Sequence, residues 1–288
     1  MELPFDVPDG VTLETDVTPA AWIDERVLPI NRRVGVQVGE VIPTGFEAYA
    51  RIFHPVRVPG GGTIRWSEIA ERNGRVAHPE MQLEHLVGTL DLDHLDGMDP
   101  PLEGCLPVEE VVALVDALGA FAATPDVCWF CVWDGFGFYG GSVSLSWSPG
   151  EDPRAIRARE RLERERAHRA RAQLDAILVV NVHPSPDGGG AFRSYYLFRG
   201  SIAAASRLEF NGQYQSPNLW WPDYRGWCVA TEIDGYSTYV GGSGRCIEAV
   251  LGDKRLEALP SSVHNRFDLW SDRINPSPPG LPDRWGGA

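Results

Sequence analysis

The chain of 288 residues is 43% hydrophobic, which is enough to bury a substantial core in one or two domains. Its formal net charge of −14 argues against a general nucleic-acid binder, because neutralising phosphate groups requires a basic surface. A basic protein partner, or no macromolecular partner at all, fits the charge better.

The cysteines and the N-terminus indicate the compartment. The five cysteines are odd in number and lie mostly inside apolar runs, which favours a reducing environment over a disulfide scaffold. The opening "MELPFDVPDG" has neither the basic nor the apolar stretch of a signal peptide, and no window reaches the length of a membrane span. We therefore expect a soluble, cytoplasmic protein with no membrane segment, and the oligomeric state stays open.

Two strands are predicted near the N-terminus. "RVGVQVGEVI" alternates, with Val34, Val36 and Val38 on one face. "FEAYARIFHPV" predicts a second strand that is covered on both faces and ends where His54 meets Pro55.

Two helices follow. "VPGGGTIRWSEIAERNG" predicts a Gly-rich loop and a short helix, with Thr63 as its N-cap and Asn73-Gly74 as its stop. "LPVEEVVALVDALGAFA" has apolar residues at helical spacing and predicts an amphipathic helix. After it, "DVCWFCVW" predicts a strand whose hairpin partner is "GFGFYGGSVSLSW".

The chain then changes character. Residues 151–173 are rich in Arg and Glu and predict an exposed helical insertion, either a solvated excursion or a docking arm. Further strands are predicted in "LDAILVVNVH", "FRSYYLFRG", "WCVATEID" and "STYVGG", and Ser243 caps a helix in "SGRCIEAVLGD". The predicted fold is α+β, with a largely antiparallel sheet flanked by a few helices. We assign residues 1–270 to one domain and residues 271–288 to a Pro/Gly-rich tail.

Several motifs fall short of a cofactor or metal site. In a strand, Cys128 and Cys131 of "CWFC" face opposite sides, so they do not coordinate the same metal ion. "DLDHLDGMD" (91–99) is out of register with a calcium loop, and neither "PGGG" nor "GGSG" continues as a phosphate-binding motif. The sequence therefore predicts no metal and no cofactor.

The strongest candidate site is the aromatic segment "SPNLWWPDYRGW". Trp220 and Trp221 point to opposite sides of an extended chain, so we expect one to pack inward and the other to line a surface. A turn at Pro222 would present Asp223 and Arg225, with Trp227 nearby. Stacking aromatic rings beside a carboxylate and a guanidinium suit a nucleobase, a sugar ring or a partner's side chain, whereas the alternative is a loop that anchors the core.

Arg51 and His54 are the other candidate site residues. Arg51 lies on the same face of its predicted strand as Tyr49, and His54 beside them is the best acid/base candidate among the seven histidines. The chain has no Gly-x-Ser-x-Gly elbow, no HExxH and no other recognisable nucleophile motif, so the sequence leaves open whether it is an enzyme.

The pattern "SPNLWWPDYRGWCVATEID", followed by "STYVGGS" and "LEALP", resembles an uncharacterised protein family of high-GC bacteria. The resemblance covers most of residues 46–262 except the Arg-rich segment, and it implies no activity and no catalytic residues.

Two functional hypotheses follow. The first is a non-enzymatic interaction protein of the toxin-neutralising kind, whose acidic body binds a basic partner. The second is an enzyme or sensor that binds a nucleotide-like or sugar-like molecule in a pocket walled by the candidate site residues. A deep pocket with converging polar groups favours the second hypothesis, and a shallow acidic face favours the first.

Overall fold

A computed structural model describes most of the chain. The described residues are 7–31, 33, 35–93, 95, 97–136, 161–162, 164–165, 177, 179–184, 191–210 and 212–283. The α-helices with assigned bounds are α1 (Ala21–Arg26), α2 (Trp66–Arg72), α3 (Leu83–Val87), α4 (Val108–Gly119) and α5 (Gly244–Gly252). Short 3₁₀ helices span Thr18–Ala20, Val38–Glu40 and Ile202–Arg207.

Thirteen strands are present in the described part of the chain. They are β1 (Val11–Leu13), β2 (Ala48–Phe53), β3 (Val56–Val58), β4 (Gly62–Ile64), β5 (Cys128–Trp133), β6 (Val180–Pro184), β7 (Ala191–Gly200), β8 (Glu209–Phe210), β9 (Gln213–Tyr214), β10 (Leu219–Pro222), β11 (Cys228–Thr231), β12 (Ser237–Gly242) and β13 (Ala258–Ser261).

Nine of these strands form one sheet, in the order β1-β7-β5-β10-β11-β12-β2-β13, with β6 also paired to β7. Every pairing in this sheet is antiparallel. The pairs β3-β4 and β8-β9 stand apart as two-stranded sheets. The predicted α+β fold with a largely antiparallel sheet is confirmed.

The two faces of the large sheet carry different cores. One face packs against α4 and α5 in a single apolar cluster that includes Phe130, Val240 and Leu114. The opposite face is divided between two clusters: one lies under α1, and the other contains α2 and α3. The two faces differ because side chains alternate along each strand. On β2, Ala50 and Ile52 point to the first face, whereas Arg51 points to the second.

Some local predictions are wrong. The alternating run around Val38 is not a strand: Val38–Glu40 is a 3₁₀ turn, and Gln37 and Glu40 close it in a capping box. This local hydrogen bonding competes successfully with the strand pattern. Thr63 is not a helix cap, because it pairs with Arg57 between β3 and β4 and the residue before α2 is Arg65.

Other predictions hold at residue level. Helix α2 ends at Asn73-Gly74, where Gly74 has a φ of +62°, and the Ser243 side chain accepts a hydrogen bond from the backbone N–H of Cys246 at the start of α5. From residue 137 onwards the hairpin partner proposed for β5 lies outside the described residues, and β5 pairs with β7 and β10.

The Arg-rich insertion and the C-terminal segment are described in part. Residues 161–162 and 164–165 are helical and exposed, and the rest of the predicted insertion lies outside the described residues. Beyond residue 270, Asp272 and Asn275 are buried: Asp272 Oδ1 is 2.9 Å from His78 Nε2, and Asn275 Nδ2 donates to the Val76 carbonyl at 2.9 Å. This stretch packs onto the segment before α3.

Candidate functional site

The three tryptophans of the aromatic segment are all buried. Trp220 and Trp227 belong to the cluster under α4 and α5, where their rings meet edge to face with centroids 5.2 Å apart. Trp221 lies on the opposite face of the sheet, with its ring 5.8 Å from that of Trp22 in α1. These side chains anchor two different cores, so they do not line a common pocket.

The turn after Trp221 is present and exposes its two charged residues. Asp223 accepts a hydrogen bond from Trp129 Nε1 at 2.9 Å. Arg225 has a φ of +58°, and its guanidinium lies 5.5 Å from the Trp22 ring centroid. Both side chains lie on the surface, away from the cavity described below.

His54 is fully buried at the end of β2. Its Nε2 is 2.9 Å from Thr238 Oγ1, which in turn is 2.8 Å from Thr231 Oγ1. Burial lowers the pKa of His54 to about 3, so the ring is neutral at physiological pH. With no exposure, His54 is a structural hydrogen-bonding residue rather than an acid or base in contact with a ligand.

Arg51, in contrast, lines a cavity of about 320 Å³, which lies where the second face of the sheet divides between its two clusters. We call this space the Arg51 cavity. Strands β2 and β12, the turn before β12, helix α3 and residues 267–269 form its walls. Five aromatic residues contribute to the lining: Trp66, Phe192, Tyr236, Tyr239 and Phe267.

The Arg51 guanidinium is buried and has no carboxylate partner. Its side chain is 2% exposed, and no carboxylate of the described residues lies within 4.0 Å of it. Nε donates to Ser237 Oγ at 2.9 Å, and one terminal nitrogen donates to the carbonyls of Pro79 and Met81 at 2.8 and 3.1 Å. The other terminal nitrogen has no acceptor in the described part of the protein. Its two N–H groups are therefore available to a ligand.

The cation is also held by aromatic rings. The guanidinium carbon lies 4.6 Å from the centroid of Phe53 and 5.8 Å from that of Trp66. These contacts offset part of the cost of burial but supply no counterion. Burial lowers the pKa of Arg51, and the charges of Glu80, Asp272 and Glu84, none of them within 4.0 Å, offset only part of this effect.

Tyr239 lies beside Arg51 and carries a second unused polar group. The two residues are directly opposite each other on β12 and β2, so their side chains share one face of the sheet. Tyr239 is fully buried, and its hydroxyl has no hydrogen-bond partner among the described residues. Burial raises the pKa of Tyr239 to about 12, so the neutral hydroxyl is a potential donor.

In one wall of the cavity, the acidic side chains are already paired with basic side chains. Arg193 on β7 donates to Glu232 and, at 2.7 Å, to Asp234 Oδ2, and its guanidinium lies 4.1 Å from the Phe192 ring. Asp268 is similarly bound by the Arg266 guanidinium at 2.6 Å. These three carboxylates already have cationic partners.

Glu84 and Glu103 also line the cavity, and within the described residues neither carboxylate is paired with a basic side chain. Tyr236 donates to Glu103 Oε1 at 3.1 Å, and no described arginine, lysine or histidine lies within 4.0 Å of either carboxylate. Burial raises the pKa of Glu84, and the neighbouring Glu103 contributes in the same direction. The cavity thus combines an unpaired cation, two unpaired carboxylates and aromatic walls.

Of the seven residues singled out in the sequence, Arg51 alone lines this cavity. Its signal was a charged residue in an otherwise apolar strand. The sequence did not point to Tyr239, Glu84 or Glu103. Tyr239 could have been found from the antiparallel pairing of "STYVGG" with "AYARIF", whereas the glutamates are brought in by loops and by α3.

Within the described ranges, no group of three or more His, Cys, Asp or Glu side chains has the geometry to hold a metal ion. Among the same residues, none of the helices has the length and apolar character required to cross a membrane. Comparison with protein-family models, curated proteins and solved structures finds no match to this chain.

Proposed function

We propose that this protein binds a small molecule carrying an anionic group in the Arg51 cavity and acts as a sensor or carrier of that molecule. The observation that supports this most directly is the buried guanidinium, which has free N–H groups and no carboxylate within 4.0 Å in the described structure. An uncompensated buried charge is destabilising, so a cavity that retains one is a natural site for a ligand of opposite charge.

The size and lining of the cavity support the same proposal. A volume of about 320 Å³ lies at the lower end of the range for small-molecule sites, and aromatic walls with a few polar groups are typical of them. The terminal nitrogen of Arg51 that has no acceptor among the described residues can donate a charge-assisted hydrogen bond to a carboxylate or phosphate oxygen, and Tyr239 lies next to Arg51 on the neighbouring strand.

The experiment is a titration of the full chain with 3-phenylpropanoate and with phenyl phosphate, followed by calorimetry. Gly235→Phe tests the site without replacing Arg51, because Gly235 lines the cavity and the nearest atoms to a Cβ there belong to Glu232, at 3.7 Å or more. Gly119→Phe is the matched control, since a Cβ at Gly119 meets nothing within 4 Å and the residue lies outside the cavity lining.

We expect the wild type and Gly119→Phe to bind at least one of these anions, and Gly235→Phe to lose binding while remaining folded. Arg51→Met should also lose binding, and its melting curve reports how much of the loss reflects unfolding. Undiminished binding by Gly235→Phe would refute the proposal, as would failure of the wild type to bind either anion or a zwitterion that carries a carboxylate, such as L-phenylalanine.

A second candidate function is the binding of a basic protein partner. It is favoured by the net charge of −14 and by Asp234, whose side chain is 74% exposed at the cavity rim. Electrostatically steered association weakens as salt screens the charges. A partner recovered from native lysate at about 50 mM salt should therefore be lost at about 300 mM. Recovery that does not change with salt contradicts this candidate.

A further inference from the structure

The proposed anion site does not account for the other charged end of the Arg51 cavity. Glu84 and Glu103 line the same space, and no basic side chain of the described residues lies within 4.0 Å of either carboxylate. A ligand that carried only an anionic group would bring a third negative charge towards them. Glu84 is partly buried and Glu103 is exposed. A negative charge close to the partly buried Glu84 carboxylate is unfavourable, so a ligand that also carries a cationic group fits this end of the cavity better.

Arg51 and Glu84 are near each other without being in contact. Each influences the ionisation of the other, yet they do not form an ion pair within 4.0 Å. The charge of Glu103 also influences Glu84, and it raises the pKa of that carboxyl group. The cation and both carboxylates line the same cavity without forming an ion pair, so a ligand in the cavity can contact both kinds of charge.

The rest of the lining favours an aromatic or similarly broad apolar body. Trp66, Phe192, Tyr236 and Phe267 contribute rings to the walls. Such rings bind another ring by edge or face contacts, and they also favour a cationic group near their faces.

We propose that the ligand is a small zwitterion of the amino-acid type with an aromatic side chain: Arg51 binds its carboxylate, and Glu84 and Glu103 bind its ammonium group. This inference rests on the proposed function, because it adds a second recognition element to the same cavity. Tyr239 adds a donor on the carboxylate side, next to Arg51. The aromatic side chain occupies the space between the ring-bearing walls.

Three probes separate the two charged contacts. L-phenylalanine carries both charges, 3-phenylpropanoate lacks the amine, and 2-phenylethylamine lacks the carboxylate. We expect calorimetry on the full chain to show the tightest binding for phenylalanine. Each truncated probe should bind at least about tenfold more weakly, because one charge-assisted contact is worth a factor of ten or more.

Variants assign the amine contact. Glu84→Gln and Glu103→Gln keep the shape of the side chains and remove their charge. Together they should weaken the binding of phenylalanine at least about tenfold and leave the binding of 3-phenylpropanoate unchanged or tighter. Glu248→Gln, an exposed change on α5 outside the cavity lining, is the control and should bind phenylalanine as the wild type does.

The outcomes distinguish the two proposals. If 3-phenylpropanoate binds as tightly as phenylalanine, the cavity is an anion site and the zwitterion inference is overturned while the proposed function stands. The inference is also overturned if the glutamine variants weaken both probes equally. If none of phenylalanine, 3-phenylpropanoate and phenyl phosphate binds, both proposals fall. Binding of 2-phenylethylamine as tight as that of phenylalanine would remove the role assigned to Arg51.

Discussion

Trp220 and Trp221 are consecutive residues of β10 that anchor opposite faces of one sheet. Trp220 packs against Phe130 and Trp227 beneath α4 and α5, and Trp221 packs against Trp22 of α1. Their side chains are 2% and 0% exposed. The segment "SPNLWWPDYRGW" thus joins the two cores across the sheet, because neighbouring residues of a strand point to opposite sides.

The first prediction concerns these two residues. Both Trp220→Ala and Trp221→Ala should lower the free energy of unfolding by about 3–5 kcal/mol, because each truncates a fully buried aromatic side chain. Chemical denaturation monitored by circular dichroism measures the loss. Leu102→Ala, at a position that is 52% exposed, is the control and should change stability by less than about 0.5 kcal/mol. A small loss for either tryptophan variant contradicts the anchoring role.

The sequence predicted the elements whose pattern is local. The alternation of "AYARIF", the helical spacing of residues 108–119 and the cap at Ser243 each depend on a few neighbouring residues, and the structure has all three. The opposite orientation of Cys128 and Cys131 also followed from strand geometry, and the two thiols belong to different clusters.

The site was harder to predict because distant segments form it. Arg51 was visible as a charge in an apolar strand, but Glu84, Glu103 and Tyr239 meet it only through loop paths and strand order. Density of aromatic residues was a misleading signal. A Trp-rich segment buries a large apolar area, and that property favours the core as strongly as it favours a site.

The second prediction concerns the Arg-rich insertion. Replacing residues 153–171 with a Gly/Ser linker should change the free energy of unfolding by less than about 0.5 kcal/mol, as expected for surface changes. Its described side chains, Arg161, Leu162, Arg164 and Glu165, are exposed. Thermal denaturation of the two proteins under the same conditions measures the difference. A drop of several degrees in melting temperature would mean that the insertion packs on the domain.

The third prediction is a dependence of stability on pH that arises from His54. The pKa of this residue is lowered by burial from 6.5 to about 3. Between these values the unfolded chain binds a proton that the folded protein does not, so stability falls as pH decreases from 6.5 towards 3. One such group contributes at most about 1.4 kcal/mol per pH unit.

Two variants test this assignment. His54→Gln should have a flatter stability profile than the wild type between pH 6.5 and the acid limit near 3. Thr238→Val removes the hydroxyl that contacts His54 but keeps the titrating ring, so it should lower stability while retaining the slope. Urea unfolding at a series of pH values gives the profiles. Equal slopes for the wild type and His54→Gln would assign the acid sensitivity to other groups.

The fourth prediction concerns Glu84, whose pKa is raised above its usual value of 4.5, chiefly by burial. Above pH 4.5 the folded protein binds this proton more tightly than the unfolded chain does, so ionisation of Glu84 destabilises the fold as pH rises through its folded pKa. Glu84→Gln should therefore raise the melting temperature at pH 7 and give no gain near pH 4.

The same substitution should weaken phenylalanine binding, if the cavity has the ligand we propose. Higher stability combined with weaker binding is the signature expected where a charge is retained for function. Glu248→Gln, on the exposed side of α5, should change neither property. If Glu84→Gln lowers the melting temperature at pH 7, the carboxylate stabilises the unliganded fold and the prediction is wrong.

The fifth prediction compares two buried tyrosines that differ in the use of their hydroxyl groups. Tyr49 donates to the Pro43 carbonyl at 3.1 Å and accepts from the Phe46 amide at 3.0 Å, whereas the Tyr239 hydroxyl has no partner in the described structure. Tyr49→Phe should therefore lower the free energy of unfolding by about 1–3 kcal/mol, because the partly buried Phe46 amide loses its acceptor. Tyr239→Phe removes no hydrogen bond, so it should leave stability unchanged or raise it by about 1 kcal/mol.

Ligand binding should show the reverse order. Tyr239 lies next to Arg51 in the cavity, whereas Tyr49 does not line the cavity. Tyr239→Phe should therefore weaken the binding of phenylalanine several-fold, and Tyr49→Phe should not. Denaturation and calorimetry on the two purified variants provide both comparisons. If Tyr239→Phe costs as much stability as Tyr49→Phe, its hydroxyl is satisfied within the unliganded protein. In that case the Tyr239 hydroxyl does not bind a ligand, and recognition at this end of the cavity depends on Arg51 alone.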